Sequence, residues 1–311
     1  MAKILITESV HPIGPELLTA AGHTVVYADR DMDVIRREIV DADAVLVRII
    51  ELPGSLLATA KNLKIVSKHG VGYDNIDLDY CKSHGIAVTI TPNANSLSVA
   101  EHAFTLMLTL AKNIIPVSNE YRTVGFAAKN HTPGIEMTGK TLGLVGMGRI
   151  GKHILHMCRD GLDMHVIVYD PYISEIPEGV EKVDDLSELL RRADVVTLHC
   201  LLTDETRKLI DRERLALMKS TALLINCARG PIVDEAALIE ALENGRLAGA
   251  GLDVTDPEPV APDSSLFKLP NVIVTPHYAP TTVESATRVS KIAAENINAV
   301  LAGKEPVGRI V

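Results

Sequence analysis

Short apolar runs recur along the first third of the chain, at Ile4–Ile6, Thr24–Tyr27, Ala44–Val47, Lys64–Ser67 and Ala87–Ile90. Between them lie stretches with helical spacing of apolar positions, such as Glu16–Ala21, Val34–Val40 and Leu78–His84. Strand and helix alternating about every 20 residues predict a parallel sheet covered on both faces. A long helix is predicted from Ser98, capped by Ser96 or Ser98, with Glu101 in its first turn and Lys112 in its last. Six more strands follow: Thr141–Val145, Val166–Tyr169, Asp194–His199, Ala222–Asn226, Ala248–Asp253 and Val272–Thr275. The final helical pattern, Thr282 to Ala302, comes after that block has its full set of strands, so it is expected to cross back onto the first block. The expectation is an α/β chain with two doubly wound domains, residues 1–97 plus 281–311 and residues 98–280. The stretch Asn113–Lys140 has weak periodicity and carries Gly125, Pro133 and Gly134. It is long for a loop, so it is expected to be extended and to pack on a second subunit.

The second block opens with TLGLVGMGRIGKHILHMCRDGLDMHVIVYD, Thr141 to Asp170. An apolar strand runs into Gly146-x-Gly148-x-x-Gly151, a helical pattern follows, and a second apolar run ends on Asp170. These are the parts of a dinucleotide-binding unit. The first glycine permits a tight turn, the second lets a pyrophosphate approach the backbone, and the third lets the helix pack close. Asp170 stands where a carboxylate can accept from an adenosine ribose. It would repel a 2′-phosphate, and Pro171-Tyr172-Ile173 supply no arginine to receive one. NAD is therefore expected over NADP.

Charge and composition narrow the partners. Lys and Arg number 31 against 40 Asp and Glu, a net −9, which disfavours nucleic acid and acidic membranes. No apolar run approaches the ~18 residues of a membrane span, and MAKILITESV turns polar at Thr7, so a cytoplasmic enzyme is expected. Cys81, Cys158, Cys200 and Cys227 show no ligand spacing and suggest neither metal nor disulfide.

Three further groups lie at predicted strand ends, where ligands bind in open α/β sheets. Arg229 follows TALLIN and offers a planar fork for a carboxylate. Glu258 lies in the loop Asp253–Pro259, between two prolines. His277 closes the run Asn271–His277. Taken singly, the first two fit a turn arginine and a capped acidic loop equally well, and a lone histidine is more often structural than catalytic. On one sheet edge beside the nucleotide glycines they form a cation, an acid and a base.

With these pieces in place the chain resembles the D-isomer-specific 2-hydroxyacid dehydrogenases over essentially its full length. The matching segments are His69–Asp77, Ser98–His102, Gly146–Gly151, Asn226–Gly230, Asp253-Val254 with Glu258-Pro259, and Thr275–His277. The apolar content of the helix Ser98–Asn113 and the coreless segment after it predict a homodimer built on them. The resemblance implies a Rossmann NAD-binding domain and a flavodoxin-like substrate-binding domain, and hydride transfer between NAD and a small 2-keto or 2-hydroxy acid. It implies that Arg229 binds the substrate carboxylate, that His277 exchanges the proton, and that Glu258 favours the protonated imidazole. The amides of Val71 and Gly72, with Asn95, would hold the carboxylate. Arg149 and Ile150 would lie on the pyrophosphate, Asp253 on the nicotinamide carboxamide, and Thr203 and Cys227 along the cofactor groove. Arg48 is the one obvious cation for an anionic substrate tail.

Three departures stand out. Leu201 replaces a frequent proline, Ile50 replaces a second arginine found in some phosphoglycerate-specific relatives, and Tyr278-Ala279-Pro280 is stiffer than the usual glycine-rich loop. No regulatory domain is expected after residue 311. A corepressor-like, NAD-sensing binding protein is the alternative from another class.

Overall fold

The structure, a computed structural model, describes residues 1–311. The chain divides into two compact units, residues 1–95 with 281–311 and residues 96–280. No helix is long and apolar enough to cross a membrane.

The first unit is built on β1 (Lys3–Ile6), β2 (Thr24–Tyr27), β3 (Ala44–Val47), β4 (Ile65–Lys68) and β5 (Ala87–Thr89). All are parallel, in the order β2-β1-β3-β4-β5. That is the flavodoxin-like winding, with its switch point between β1 and β3. Helices α1 (Ile13–Ala20), α2 (Met32–Glu38), α3 (Gly54–Leu57) and α4 (Leu78–Ser83) connect the strands. Successive strand residues point to opposite faces. Ile4 and Ile6 therefore join Leu18, Leu46 and Ile65 in one core, while Leu5 joins Ile35, Val45 and Val66 in another.

The second unit begins with α5 (Ser96–Ala111), two residues before the helix start read from the sequence, and α6 (Ile114–Val124). Its sheet comprises β6 (Thr141–Val145), β7 (His165–Tyr169), β8 (Glu181–Lys182), β9 (Val195–Leu198), β10 (Leu223–Asn226), β11 (Gly249–Leu252) and β12 (Val272–Val274). The strands are parallel in the order β12-β11-β10-β9-β6-β7-β8. This is one strand more than expected, because the short edge strand β8 carries no apolar run. Helices α7 (Arg149–Leu162), α8 (Leu186–Arg192), α9 (Arg212–Leu217) and α10 (Glu235–Glu243) cover the two faces.

Residues 113–140 depart from the expected extended segment. Asn113 turns in the left-handed region and α6 follows, then a 3-10 stretch from Gly125 to Asn130. Helix α5 buries Val99, Ala103, Leu106 and Met107 in its own unit's core. That face is not available to a second subunit.

The last helix, α11 (Val283–Leu301), is capped by Thr282, whose side chain accepts from the Ser285 amide. It returns to the first unit and places Ala293, Ala294 and Ile297 on the core of Ile4 and Ile6. Each fully buried large aliphatic side chain of that core contributes roughly 1.5–3 kcal/mol. Beyond α11, Ile310 donates to the Val88 carbonyl at 2.8 Å, and Arg309 bridges Thr89 antiparallel.

Candidate active site

One row of strand register organises the second unit. Tyr169, Val145, Leu198, Asn226, Leu252 and Val274 lie side by side across six strands. The next residue on each strand is Asp170, Gly146, His199, Cys227, Asp253 and Thr275. With neighbouring strands ~4.8 Å apart, every expected cofactor and catalytic residue of this unit lies on this one carboxyl edge or in the segments directly beyond it.

At the centre, Gly146 turns with φ +89°, and a Cβ there would lie 2.8 Å from the backbone of His199 and Cys200. Gly151 packs so closely that its Cβ would come 2.4 Å from the Gly146 carbonyl oxygen. Gly148 and Arg149 are exposed and Ile150 is half-buried. No side chain caps α7 at Gly148. A 14-residue helix thus presents an uncapped N-terminus over an open glycine, which suits a pyrophosphate. The Asp170 carboxylate accepts from the Met147 and Tyr172 amides, each at 2.9 Å, which fixes it beside the glycine turn. Thr203 is exposed in the turn after β9, where its amide donates to the Thr206 hydroxyl at 2.7 Å. Cys227 is buried behind that edge, and burial pushes its thiol well above the ordinary range. It therefore faces the core as a neutral group. His199 is fully buried and pushed down to about 3 by burial, so it too is neutral.

The catalytic candidates come from three consecutive loops. Asn226, 1% exposed, holds the first. Its amide donates to the Arg229 carbonyl at 2.9 Å and its oxygen accepts from the Ala228 amide at 3.0 Å. Arg229 is half-buried, and one guanidinium nitrogen donates to the Ala228 carbonyl at 2.7 Å. Gly230 follows, and a Cβ on it would lie 1.9 Å from the Thr255 carbonyl oxygen. The arginine loop and the acidic loop are in backbone contact there, and only glycine permits it. Glu235 adds a tie, accepting from the Asp256 amide at 3.0 Å.

Glu258 and His277 meet directly, with imidazole Nδ1 2.7 Å from Glu258 Oε1. A carboxylate only accepts, so Nδ1 carries the proton and Nε2 is the nitrogen that Glu258 leaves unengaged. His277 takes φ +52°, a strained conformation for a residue other than glycine. Its amide donates to the Asp253 carbonyl at 2.8 Å.

The Asp253 carboxylate, 1% exposed, grips the same turn from within. One oxygen accepts from Thr275 Oγ1 at 2.5 Å and the Tyr278 amide at 2.7 Å; the other accepts from the Ala279 amide at 2.8 Å. His102 on α5 reaches Thr275 Oγ1 at 3.0 Å and Asp253 at 3.4 Å. Burial alone would raise the Asp253 carboxyl, but donors from His102, Thr275, Ala279 and Tyr278 outweigh it and hold it below its usual value. Asp253 is expected from the sequence to be a cofactor contact. Here its oxygens are engaged by protein donors that set the turn of His277. His102, Asn226 and Glu235 carry no assigned role in the sequence reading.

In the first unit, Arg48 is half-buried just beyond β3, and the amides of Val71 and Gly72 lie beyond β4. Neither amide meets a backbone acceptor within that unit. Asn95 is the unit's half-buried last residue before α5.

Residues 104–279 match the family model for the NAD binding domain of D-isomer specific 2-hydroxyacid dehydrogenases. The chain is 42% identical over 308 residues to a D-3-phosphoglycerate dehydrogenase of Methanocaldococcus jannaschii, covering 98% of this chain and 58% of that protein. It is 38% identical over 319 residues to a glyoxylate reductase of Thermofilum pendens, covering 98% of this chain and 93% of that one. The chain thus spans little more than half the length of the first relative and nearly all of the second. A crystal structure of a protein from Thermus thermophilus superposes with a TM-score of 0.92 at 34% identity, covering 99% of this chain and 100% of that chain. The sequence match, the fold and the edge residues agree, and the chain belongs to the D-isomer-specific 2-hydroxyacid dehydrogenase family.

Proposed function

We propose that this protein is an NAD-dependent oxidoreductase that interconverts a small 2-keto acid and its D-2-hydroxy acid. The observation that carries the reading is the His277–Glu258 pair at 2.7 Å, held against the Arg229 loop by the contact of Gly230 with Thr255. The glycine turn, the uncapped start of α7 and the fixed Asp170 carboxylate fit a dinucleotide. A reduced nicotinamide held there would be the source of the hydride for the keto carbon. Arg229 pairs with the substrate carboxylate and polarises the keto oxygen. His277 Nε2 donates a proton to that oxygen, and the product is the 2-hydroxy acid. In the reverse direction the same nitrogen removes the proton. Glu258 accepts from Nδ1 and holds the ring in place.

The amides of Val71 and Gly72, with Asn95, are proposed to bind the carboxylate. Arg48 is proposed to meet an anionic tail, and Arg149, Ile150 and Thr203 to line the cofactor site. Hydroxypyruvate, glyoxylate, 3-phosphoglycerate and related three-carbon acids are the substrates this set suits. We also propose a homodimer, with α6 in place of α5 as its surface. Helix α6 buries no residue of its own, and Ile114, Ile115, Tyr121, Val124 and the following Phe126 are exposed.

The test is NADH oxidation with a panel of 2-keto acids. Turnover of small acids and poor turnover of phenylpyruvate are expected. Asp170 should make kcat/KM with NADPH lower than with NADH by about tenfold or more. No turnover of any 2-keto acid with either cofactor overturns the reading.

A further inference from the structure

The three-residue loop beyond β3, Arg48-Ile49-Ile50, is held in a way the proposed function does not use. Glu8 follows β1 and is 2% exposed. Its carboxylate accepts from the amides of Arg48 at 2.7 Å, Ile49 at 2.6 Å and Ile50 at 3.0 Å, and from the Thr7 hydroxyl at 2.5 Å. Three convergent amides form an anion-binding nest, and here the protein fills it with its own carboxylate. A substrate anion therefore cannot take those amides, and only side chains of this loop can meet it.

The carbonyls of the loop are bound as well. Lys68, buried at the end of β4, donates from Nζ to the Arg48 carbonyl and to Asn75 Oδ1, the latter at 2.6 Å. Asn75 in turn donates from Nδ2 to the Ile50 carbonyl at 2.6 Å. Lys68 and Asn75 bracket the segment that carries Val71 and Gly72. The same bonds thus fix the Arg48 loop and tie it to the amides proposed for the carboxylate. Arg48's charge acts on its surroundings: burial first, and this charge second, push the His69 imidazole down to about 4. His69 is neutral and adds no cation of its own.

We propose that Glu8, Lys68 and Asn75 form a buried polar frame that sets the spacing between the Arg48 guanidinium and the Val71–Gly72 amides, and that this spacing favours 2-keto acids carrying a second anionic group. The inference rests on the proposed roles of Arg48 and of those amides. Glu8, Lys68 and Asn75 are positioning residues. They act on the affinity for one substrate class and not on the chemical step.

The experiment is steady-state kinetics with NADH on the whole chain. The probes are phosphohydroxypyruvate, with a dianionic far end, and glyoxylate, which has no far end. Glu8→Gln keeps the side-chain size but turns an NH₂ toward the nest. Asn75→Ala removes the bridge without touching the nest and carries the same test should Glu8→Gln fail to fold. Both variants should raise KM for phosphohydroxypyruvate about tenfold with kcat within about twofold, and move the glyoxylate KM by less than about twofold. Equal increases for both probes, or a fall in kcat for both, overturn the frame. So does a wild-type chain that reduces glyoxylate but not the phosphorylated acid. Arg48→Ala separates the inference from the reading beneath it. If its effect is as unselective as that of a surface substitution, Arg48 is no substrate contact and both fall. If Arg48→Ala is selective and the frame variants are not, the frame alone falls.

Discussion

Two regions of this chain present an arginine beyond the carboxyl edge of a parallel sheet, and they hold it by different means. Beyond β10 and β11 side chains such as Asn226 and Asp253 hold the loops, but the loops are also locked by backbone against backbone, with Gly230 pressed on the Thr255 carbonyl. Beyond β3 the loop is set by side chains, with Glu8 in its nest of amides and Lys68 and Asn75 on its carbonyls. Crowded backbone allows one geometry and tolerates no added atom. A side-chain frame can be altered one residue at a time while the sheet beneath it stands. The first suits groups that perform a step common to every substrate. The second suits groups that distinguish among substrates.

The largest break in the comparison is removal of the proposed proton donor. His277→Ala should lower turnover of every 2-keto acid by ~10²–10⁴-fold and leave NADH affinity, measured by fluorescence titration, nearly unchanged. Next comes the backbone contact itself. Gly230→Ala puts a carbon 1.9 Å from a carbonyl oxygen, so the loops must part. Turnover should fall ~10²-fold for all substrates, with roughly 1–3 kcal/mol of stability lost in urea unfolding. An unchanged kcat in a folded Gly230→Ala protein would mean that this contact does not set the site.

A smaller effect sharpens the role of the acid. Glu258→Gln should lower kcat less than about tenfold, because a glutamine oxygen can still accept from Nδ1, with NADH affinity by fluorescence titration nearly unchanged. A loss as large as that of His277→Ala would mean that the carboxylate does more than hold the ring. The smallest effect falls on stability. His199 is held neutral down to about 3 in the folded chain, against an ordinary value of 6.5. The unfolded chain binds that proton more readily, so stability is lost as pH falls from 6.5 toward 3, by up to ~1.4 kcal/mol per unit. His199→Gln should flatten urea midpoints measured at about pH 7, 6 and 5, with little change in kcat.

The sheets were legible because parallel strands buried on both faces read as unbroken apolar runs. Leu223–Asn226 and Thr141–Val145 are such runs. Strand β8 is Glu181-Lys182 at a sheet edge and has no such signature. Helix α6 escapes a sequence reading because Pro116 in its first turn and Gly125 directly after it give the segment the look of a loop, and none of its residues is buried. Arg229, Glu258 and His277 could be proposed from their places at strand ends. Their supports could not. Glu8 meets amides some 40 residues away, and His102 meets Thr275 across 173 positions. A buried carboxylate bound by backbone amides leaves no pattern in the residues it binds, because any residue but proline supplies an amide.

The return of α11 to the first unit makes the second unit an insertion within it, and this sets an order of assembly. On the ribosome, residues 96–280 can close their own core before α11 exists. The first unit waits with Ile4, Ile6, Leu18 and Ile65 lacking the cover of Ala293, Ala294 and Ile297, and Ser67 lacks the Ala293 carbonyl that its hydroxyl meets at 3.0 Å. The segment translated first is therefore completed last, and a chain cut before Thr282 would keep a finished nucleotide-binding unit beside an open sheet.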